Sequence, residues 1–238
     1  MPDTFTLPPP PRVPGLGRIA HAALFLDFDG TLVEIAPRPD AVHVPDHLPG
    51  LLQRLTEGLG GALAIVSGRA LAELEHFLPV PIPMAGDHGA TLRPDPLQPP
   101  VLPALPSPPA AWRAQADALV ARHPGALVED KTHGFVIHYR LAPDLGPEAA
   151  ALLAALVAED PIGFTLLEAR MAWEIRPHGA SKATAVRALM AAAPFAGRTP
   201  VFIGDDVTDE EGMEAARSFG GHGWRLDDMF GTPQELRD

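Results

Sequence analysis

The amino-acid sequence predicts an α/β fold, a doubly wound parallel-sheet (Rossmann-like) core with an inserted α+β domain. Two observations lead to this prediction. Short apolar runs alternate with segments of helical spacing near both ends of the chain, a rhythm typical of a parallel sheet. A proline-rich stretch and an α-β-β-α-β-β pattern interrupt this rhythm in the middle. We therefore expect one core built from both ends of the chain, with a separate unit between them.

The first part of the core is predicted from four segments in strand-helix-strand-helix order. The runs at 22–28 and 62–66 are strongly apolar, as expected for strands that are buried on both faces. Apolar residues at helical spacing follow them at 48–59 and 70–78. Crossover connections between parallel strands are right-handed, so these helices are expected to pack on the sheet.

A domain boundary is predicted at 94–109, where eight of sixteen residues are proline. The pattern beyond it predicts a small α+β domain with an antiparallel sheet. Its predicted helices are at 110–122 and 148–159, and its strands are at 126–131, 135–140, 164–169 and 171–176.

The βα rhythm then resumes, which indicates a return to the core. It predicts a helix at 181–192, a strand at 200–203 and a helix at 209–217. The predicted organisation is a flexible proline-rich tail at 1–17, a core at 18–104 and 177–238, and an inserted domain at 105–176.

The composition excludes several classes of function. The 238 residues include 30 acidic and 18 basic ones, a formal net charge of −12, and so negative a surface repels nucleic acid and anionic membranes. No apolar run is long enough to span a bilayer. The absence of cysteine excludes disulfides, thiolate metal sites and cysteine nucleophiles. We expect a cytoplasmic monomer that binds neither nucleic acid nor membrane.

Two acidic segments that follow predicted strands form the strongest functional signal. Asp27 and Asp29 come after the first strand, and Asp205, Asp206 and Asp209 come after a later one. Ligands of an open parallel sheet bind at the carboxyl ends of its strands, so both segments are expected at one edge. The repulsion among about five carboxylates favours a bound cation, and Mg²⁺ prefers oxygen ligands. An Asp-Gly turn and a capped helix explain each segment alone, but not their pairing.

Two further segments suit a phosphate group. Ser67, Gly68 and Arg69 follow the second strand and open a helix, where a hydroxyl and backbone amides can hold an anion. Lys182 begins a later helix and is one of only two lysines, the other being Lys131. The alternative interpretations are an N-cap and a solvated surface charge.

Together these segments resemble the four motifs of the haloacid dehalogenase superfamily of phosphotransferases, in the same order. The resemblance implies that Asp27 is the nucleophile, which becomes an aspartyl phosphate, and that Asp29 is the general acid and base. It implies that Thr31, Ser67, Gly68 and Lys182 bind phosphate. It also implies a Mg²⁺ site of Asp27, Asp205 and the Asp29 backbone carbonyl, with Asp206 and Asp209 as further candidates.

The inserted domain is expected to select the substrate, since a cap closes over the leaving group in this superfamily. Its charged strand ends, with the segment at 87–89, look like those of trehalose-6-phosphate phosphatases. This resemblance implies that the disaccharide is bound by Arg69, His88, Glu129, Lys131, Arg140 and Glu174. Cross-strand ion pairs and structural histidines are the alternative interpretations.

The sequence therefore predicts a Mg²⁺-dependent phosphatase that hydrolyses trehalose 6-phosphate to trehalose and phosphate. Three alternatives stay open. They are a phosphatase for another sugar phosphate, such as sucrose 6-phosphate or a glucosylglycerate phosphate, a catalytically silent sugar-phosphate sensor, and an interaction module built on the proline segments. A sensor could dispense with Asp29, and an interaction module explains none of the carboxylates.

Overall fold

The computed structural model describes residues 21–169 and 171–238, and these residues form two sheets. The predicted tail at 1–17 lies outside the described residues. The large sheet contains β1 (Ala22–Leu26), β2 (Leu63–Val66), β3 (Met84–Gly86), β4 (Thr91–Arg93), β9 (Thr199–Gly204) and β10 (His222–Arg225). The small sheet contains β5 (Leu127–Lys131), β6 (Gly134–His138), β7 (Phe164–Ala169) and β8 (Ala172–Pro177).

The large sheet has the strand order β10-β9-β1-β2-β3-β4. Every neighbouring pair is parallel except β3 and β4, which are antiparallel. β1 and β9 lie side by side in the middle, with Leu26 beside Ile203, although they come from opposite ends of the chain. The segments that follow these two strands therefore leave the sheet at the same edge.

Helices cover both faces of the large sheet, which makes it doubly wound. Ala22, Leu24 and Leu26 of β1 belong to the apolar cluster on one face, whereas Ala23 and Phe25 belong to the cluster on the other. The helices are α1 (Leu48–Gly58), α2 (Leu71–Phe77), α3 (Ala110–Val120), α4 (Gly146–Val157), α5 (Lys182–Met190), α6 (Asp209–Ser218), α7 (Leu226–Met229) and α8 (Pro233–Arg237). The first cluster includes residues of α1 and α2, and the second includes residues of α5 and α6.

The small sheet is inserted between β4 and β9 and is antiparallel, with the order β5-β6-β8-β7. One of its faces packs on α3 and α4 through a core that includes Trp112, Phe135, Leu153 and Ile175. We call residues 110–177 the small unit and the remaining described residues the large unit. The predicted fold class is confirmed, and the domain boundaries stay a prediction.

β3, β4 and β10 were not predicted as strands, and α7 and α8 were not predicted as helices. β3, β4, α7 and α8 are too short to show a hydrophobic period, and β10 lacks the continuous apolar run that marks β2. Gly86 in β3 is required by close packing, since a Cβ there would lie 2.5 Å from the Leu71 amide nitrogen. Within 21–169 and 171–238, every helix is too short or too polar to cross a bilayer.

Candidate active site

Three carboxylates meet where β1 and β9 end. Oxygens of Asp27, Asp205 and Asp209 all lie within 4.8 Å of one another. The pairing of β1 with β9 brings these carboxylates together. The pairing continues one residue past β1, because the Asp27 amide donates to the Ile203 carbonyl at 3.0 Å. Asp27 and Asp209 are buried, and Asp205 is partly exposed.

A single ammonium group lies among these carboxylates. Lys182 Nζ donates to Asp27 Oδ1 at 2.7 Å and to Asp209 Oδ1 at 2.5 Å. Lys182 is the first residue of α5, and Ser181 caps that helix by accepting a hydrogen bond from the Thr184 amide at 3.1 Å. The start of the helix therefore fixes the position of the ammonium.

The cluster carries more negative than positive charge. Burial raises the pKa of Asp27 well above its usual range, and the charges of Asp209 and Asp205 raise it further against the effect of Lys182. Burial, with the charges of Asp209 and Asp206, raises the pKa of Asp205 to about 6. Burial alone would lower the pKa of Lys182, but Asp209 and Asp27 outweigh it and raise that pKa. A divalent cation would neutralise this excess charge.

Asp209 and Asp206 have different surroundings although they are close in sequence. Asp209 Oδ2 accepts from the amides of Asp205 and Asp206, each at 3.0 Å, while its other oxygen faces Lys182. Asp206 accepts from the Val207 amide at 2.6 Å and is not part of the three-carboxylate cluster. Asp209 thus stabilises the backbone of the loop, whereas Asp206 lies outside the carboxylate cluster.

The loop after β1 fits against Asp205 through a glycine. Gly30 has a φ of +82°, and a Cβ there would lie 2.2 Å from Asp205 Oδ2. The buried hydroxyl of Thr31 donates to Asp205 Oδ1 at 3.2 Å. Only glycine allows the two acidic segments to approach so closely.

Asp29 is held by a two-pronged contact with Arg69. Arg69 Nε donates to Asp29 Oδ2 at 2.6 Å, and Nη2 donates to Oδ1 at 2.8 Å. The guanidinium lies 5.7 Å from the ring centroid of Phe28 and 5.0 Å from that of Phe77. The Asp29 carboxylate therefore faces the cavity beside Asp27 rather than joining the carboxylate cluster.

The segment after β2 is also tightly built. Ser67 is 1% exposed, and its hydroxyl accepts from the Arg69 amide at 3.2 Å. A Cβ at Gly68 would lie 2.6 Å from the His88 ring, so the ring covers this glycine. His88 in turn contacts Glu174 of the small unit, with 3.2 Å between Nε2 and Oε2.

In the small sheet, alternate residues of three strands face the large unit. Glu129 on β5 is paired with Lys131 on the same strand and with His138 on β6, the latter at 2.6 Å. Burial opposes ionisation of Glu129, but hydrogen bonds and charges from His138 and Lys131 outweigh it and lower its pKa to about 2. Arg140 donates to the Ala36 carbonyl at 3.4 Å.

One cavity of about 300 Å³ lies between the two units and connects these groups. The predicted site residues line it, except Thr31 and Asp209, which lie behind Asp205. His138 also lines it and was not among the predicted site residues. Strand alternation is the signal that could have found it, because His138 shares a face of β6 with Val136, which lies opposite Glu129.

Comparison with known proteins agrees with this geometry. The family model described as trehalose-phosphatase matches residues 25–228, which include both sheets except the first three residues of β1. The chain belongs to the trehalose-phosphatase family. The predicted family and its enzyme class, a phosphatase that acts on phosphoric monoesters, are confirmed.

Relatives of this trehalose-phosphatase family member are similar over most of their length. The trehalose-6-phosphate phosphatase of Escherichia coli (strain K12) is 40% identical over 214 residues, covering 85% of this chain and 76% of the relative. A probable trehalose-phosphate phosphatase of Sinorhizobium fredii (strain NBRC 101917 / NGR234) is 42% identical over 205 residues, covering 86% and 77%. The crystal structure of a trehalose-6-phosphate phosphatase related protein has a TM-score of 0.67 at 26% identity, covering 85% of this chain and 84% of that one.

Proposed function

We propose that this protein is a Mg²⁺-dependent phosphatase that hydrolyses trehalose 6-phosphate to trehalose and phosphate. The observation that carries the proposal is the cluster of Asp27, Asp205 and Asp209 around Lys182, at the floor of a cavity roofed by charged side chains of the small unit. Membership of the trehalose-phosphatase family supports the choice of substrate. The monomeric state and the cytoplasmic location stay predictions.

The residues at the floor fit Mg²⁺. The donors are carboxylate oxygens, which this ion prefers, and they carry more charge than Lys182 neutralises. Asp27 and Asp205 would hold the ion, together with the backbone carbonyl of Asp29. We assign Asp209 and Asp206 to the shaping of the loop, because their oxygens accept backbone hydrogen bonds. When bound, Mg²⁺ supplies positive charge that offsets the charge of the phosphoryl oxygens.

Asp27 would act as the nucleophile. One of its oxygens attacks phosphorus, and the bond from phosphorus to the sugar oxygen breaks, which leaves an aspartyl phosphate. Ser67, the Gly68 amide and Lys182 would hold the phosphoryl oxygens while charge develops on them. Thr31 would contribute by holding Asp205, since its hydroxyl is bound to that carboxylate. Water then cleaves the aspartyl phosphate and releases phosphate.

Asp29 would move the protons of both steps. It lies two residues beyond Asp27 and faces the same cavity. It would donate a proton to the departing sugar oxygen and then accept one from the attacking water. The bidentate hydrogen bonds from Arg69 hold the Asp29 carboxylate between turnovers. A substrate hydroxyl that binds Arg69 instead would release Asp29.

The small unit would act as the cap that selects the sugar. Its Glu129, Lys131, Arg140 and Glu174 line the roof of the cavity, and His88 of the large unit contacts Glu174. Sugar hydroxyls both donate and accept, so paired carboxylates and cations can bind them in a fixed orientation. Closure would also exclude bulk water from the transfer.

The test is phosphate release by the purified protein with Mg²⁺. We expect release from trehalose 6-phosphate to exceed release from glucose 6-phosphate and sucrose 6-phosphate, and Asp27→Asn to abolish it while the variant stays folded. Asp46→Asn, an exposed carboxylate, is the matched control and should leave the rate unchanged. Full activity in Asp27→Asn, or no release from trehalose 6-phosphate, would contradict the proposal.

A further inference from the structure

Asp87 and His88 reach the small unit through two adjacent side chains. Both residues have a positive φ, +48° and +52°, which is uncommon outside glycine. Such a backbone costs energy and persists only where the surrounding structure holds it in place. Here it directs His88 towards Glu174 and Asp87 towards Thr132.

The contact of Asp87 with Thr132 is short and part-buried, since Asp87 is buried and Thr132 is exposed. Thr132 Oγ1 donates to Asp87 Oδ2 at 2.5 Å, and Thr91 Oγ1 lies 3.4 Å from the same oxygen. Asp87 is only 5% exposed, and its Oδ1 has no hydrogen-bond partner among the described residues. A buried carboxylate with so few donors depends on each of them, so the Thr132 hydroxyl is not interchangeable with a methyl group.

Thr132 has a special place in the small unit. It is the first of two residues that join β5 to β6, and it directly follows Lys131. The second turn residue, His133, lies 3.2 Å from the Ser107 hydroxyl in the segment that leads into the small unit. The next residue, Gly134, packs against the Ile175 carbonyl near the end of β8, where the chain returns to the large unit. This turn therefore lies beside both connections between the units.

A contact at this turn holds the small unit in place on the large unit, at the point where the two units join. Lys131 is one residue away and points into the cavity, whereas neither Asp87 nor Thr132 lines it. A shift of the turn would move the Lys131 ammonium relative to the floor of the cavity. Two longer contacts from the large unit also reach this turn, Thr91 Oγ1 to Thr132 Oγ1 at 3.4 Å and Ser107 Oγ to His133 Nδ1 at 3.2 Å. The contacts of Arg140 with Ala36 and of Arg176 with Glu211 lie elsewhere on the small unit.

We propose that the Asp87–Thr132 hydrogen bond is the pivot of the small unit and that it sets the position of Lys131 over the cavity. Asp87 and Thr132 are positioning residues, since neither faces the space where the substrate would lie. The inference rests on the proposed function for the choice of sugar phosphate.

The test compares Thr132→Val, which replaces the hydroxyl with a methyl group, with Thr132→Ser, which keeps the hydroxyl. For trehalose 6-phosphate, Thr132→Val should raise KM about three- to tenfold, the effect of losing one hydrogen bond. Its kcat should change less than twofold, because Lys131 would bind the sugar equally before and during transfer. Thr132→Ser should restore the KM of the wild type.

Two controls separate positioning from general damage. With p-nitrophenyl phosphate, which reaches the floor but carries no sugar, Thr132→Val should keep the kcat/KM of the wild type within about twofold. Thr165→Val, the same change on β7 away from the turn, should alter neither substrate. An equal loss with both substrates, or a Thr132→Ser variant that behaves like Thr132→Val, would overturn the proposal.

A second measurement does not depend on activity. Asp87→Gly removes the carboxylate, and glycine tolerates a φ of +48°. Unfolding in urea of Thr132→Val, Asp87→Gly and the double variant should show coupling, with the double variant losing less stability than the sum of the single losses. Additive losses would overturn the proposed pivot. Failure of the proposed function would show in the wild type itself, as absence of phosphate release from trehalose 6-phosphate.

Discussion

At the scale of single residues, the site depends on glycines, which have no side chain. Gly30 lets Asp205 come within 2.2 Å of where a side chain would begin, and Gly68 lies under the His88 ring. These glycines bring loops from different strands close together. The carboxylate cluster is therefore set by backbone contacts as much as by the acidic side chains themselves.

We expect Gly30→Ala to displace Asp205 and to lower phosphate release about 100-fold, the effect of misplacing a catalytic group by an ångström. The free energy of unfolding should fall as well, by about 1–3 kcal/mol, because alanine is strained at a φ of +82°. Urea unfolding and phosphate release measure the two effects. Gly197→Ala is the matched control, since Gly197 has a φ of +77° but no atom within 4 Å of its would-be Cβ. It should lose some stability and keep its activity, and equal activity losses in both variants would contradict the role of Gly30.

The directions of side chains within the acidic turns could not be predicted from the sequence. The placement of Asp27 and Asp205 at one edge follows from the sequence, because parallel strands present their carboxyl ends together. Whether Asp206 or Asp209 faces the cluster depends on which backbone amides each one accepts, and that is settled only by the folded loop.

At the scale of elements, β5, β6 and β8 build the roof by strand alternation. Glu129 lies opposite Val136, and Val136 lies opposite Glu174, so one face of three strands carries the residues that line the cavity. The sequence predicted the four strands of this sheet, but not which strands are neighbours. His138 was missed because its closeness to Glu129 depends on that pairing.

The pairing of Glu129 makes stability depend on pH in the acidic range. Its pKa is about 2 in the folded protein and near 4.5 in the unfolded chain, so its stabilising effect is complete above about pH 4.5 and is lost as the pH falls towards 2. The total effect is on the order of 3 kcal/mol. The charged groups around it are Lys131 on its own strand, His138 on β6 and Arg69 of the large unit.

We therefore expect Glu129→Gln to lose less stability than the wild type between pH 5.5 and about 3.5, as measured by urea unfolding at each pH. Glu168→Gln, an exposed carboxylate on β7, is the control and should follow the wild type. Parallel loss of stability in Glu129→Gln and the wild type would contradict the pairing.

At the scale of the whole molecule, the carboxylate cluster connects segments from opposite ends of the chain. β1 and β9 are neighbours only because the chain returns to the large sheet after building the small unit. A cation held by Asp27 and Asp205 would bind the folded protein and not the unfolded chain. Binding of this kind stabilises the whole fold by mass action.

Mg²⁺ at about 100 times its dissociation constant should stabilise the protein by about 2.7 kcal/mol. For a chain of this size that raises Tm by about 5–10 °C, and EDTA should reverse the increase. Asp205→Asn should weaken the response strongly, whereas Asp46→Asn, an exposed carboxylate before α1, should leave it intact. Thermal unfolding with and without the ion measures this, and an unchanged response in Asp205→Asn would remove Asp205 from the metal site.

The use of lysine has a practical consequence for chemical labelling. The sequence contains two lysines, and both have side chains at the cavity, Lys131 8% exposed and Lys182 3% exposed. Arginine supplies every other basic side chain. An acylating reagent that selects lysine amines consequently meets none on the outer surface, and any lysine it modifies belongs to the space between the two units.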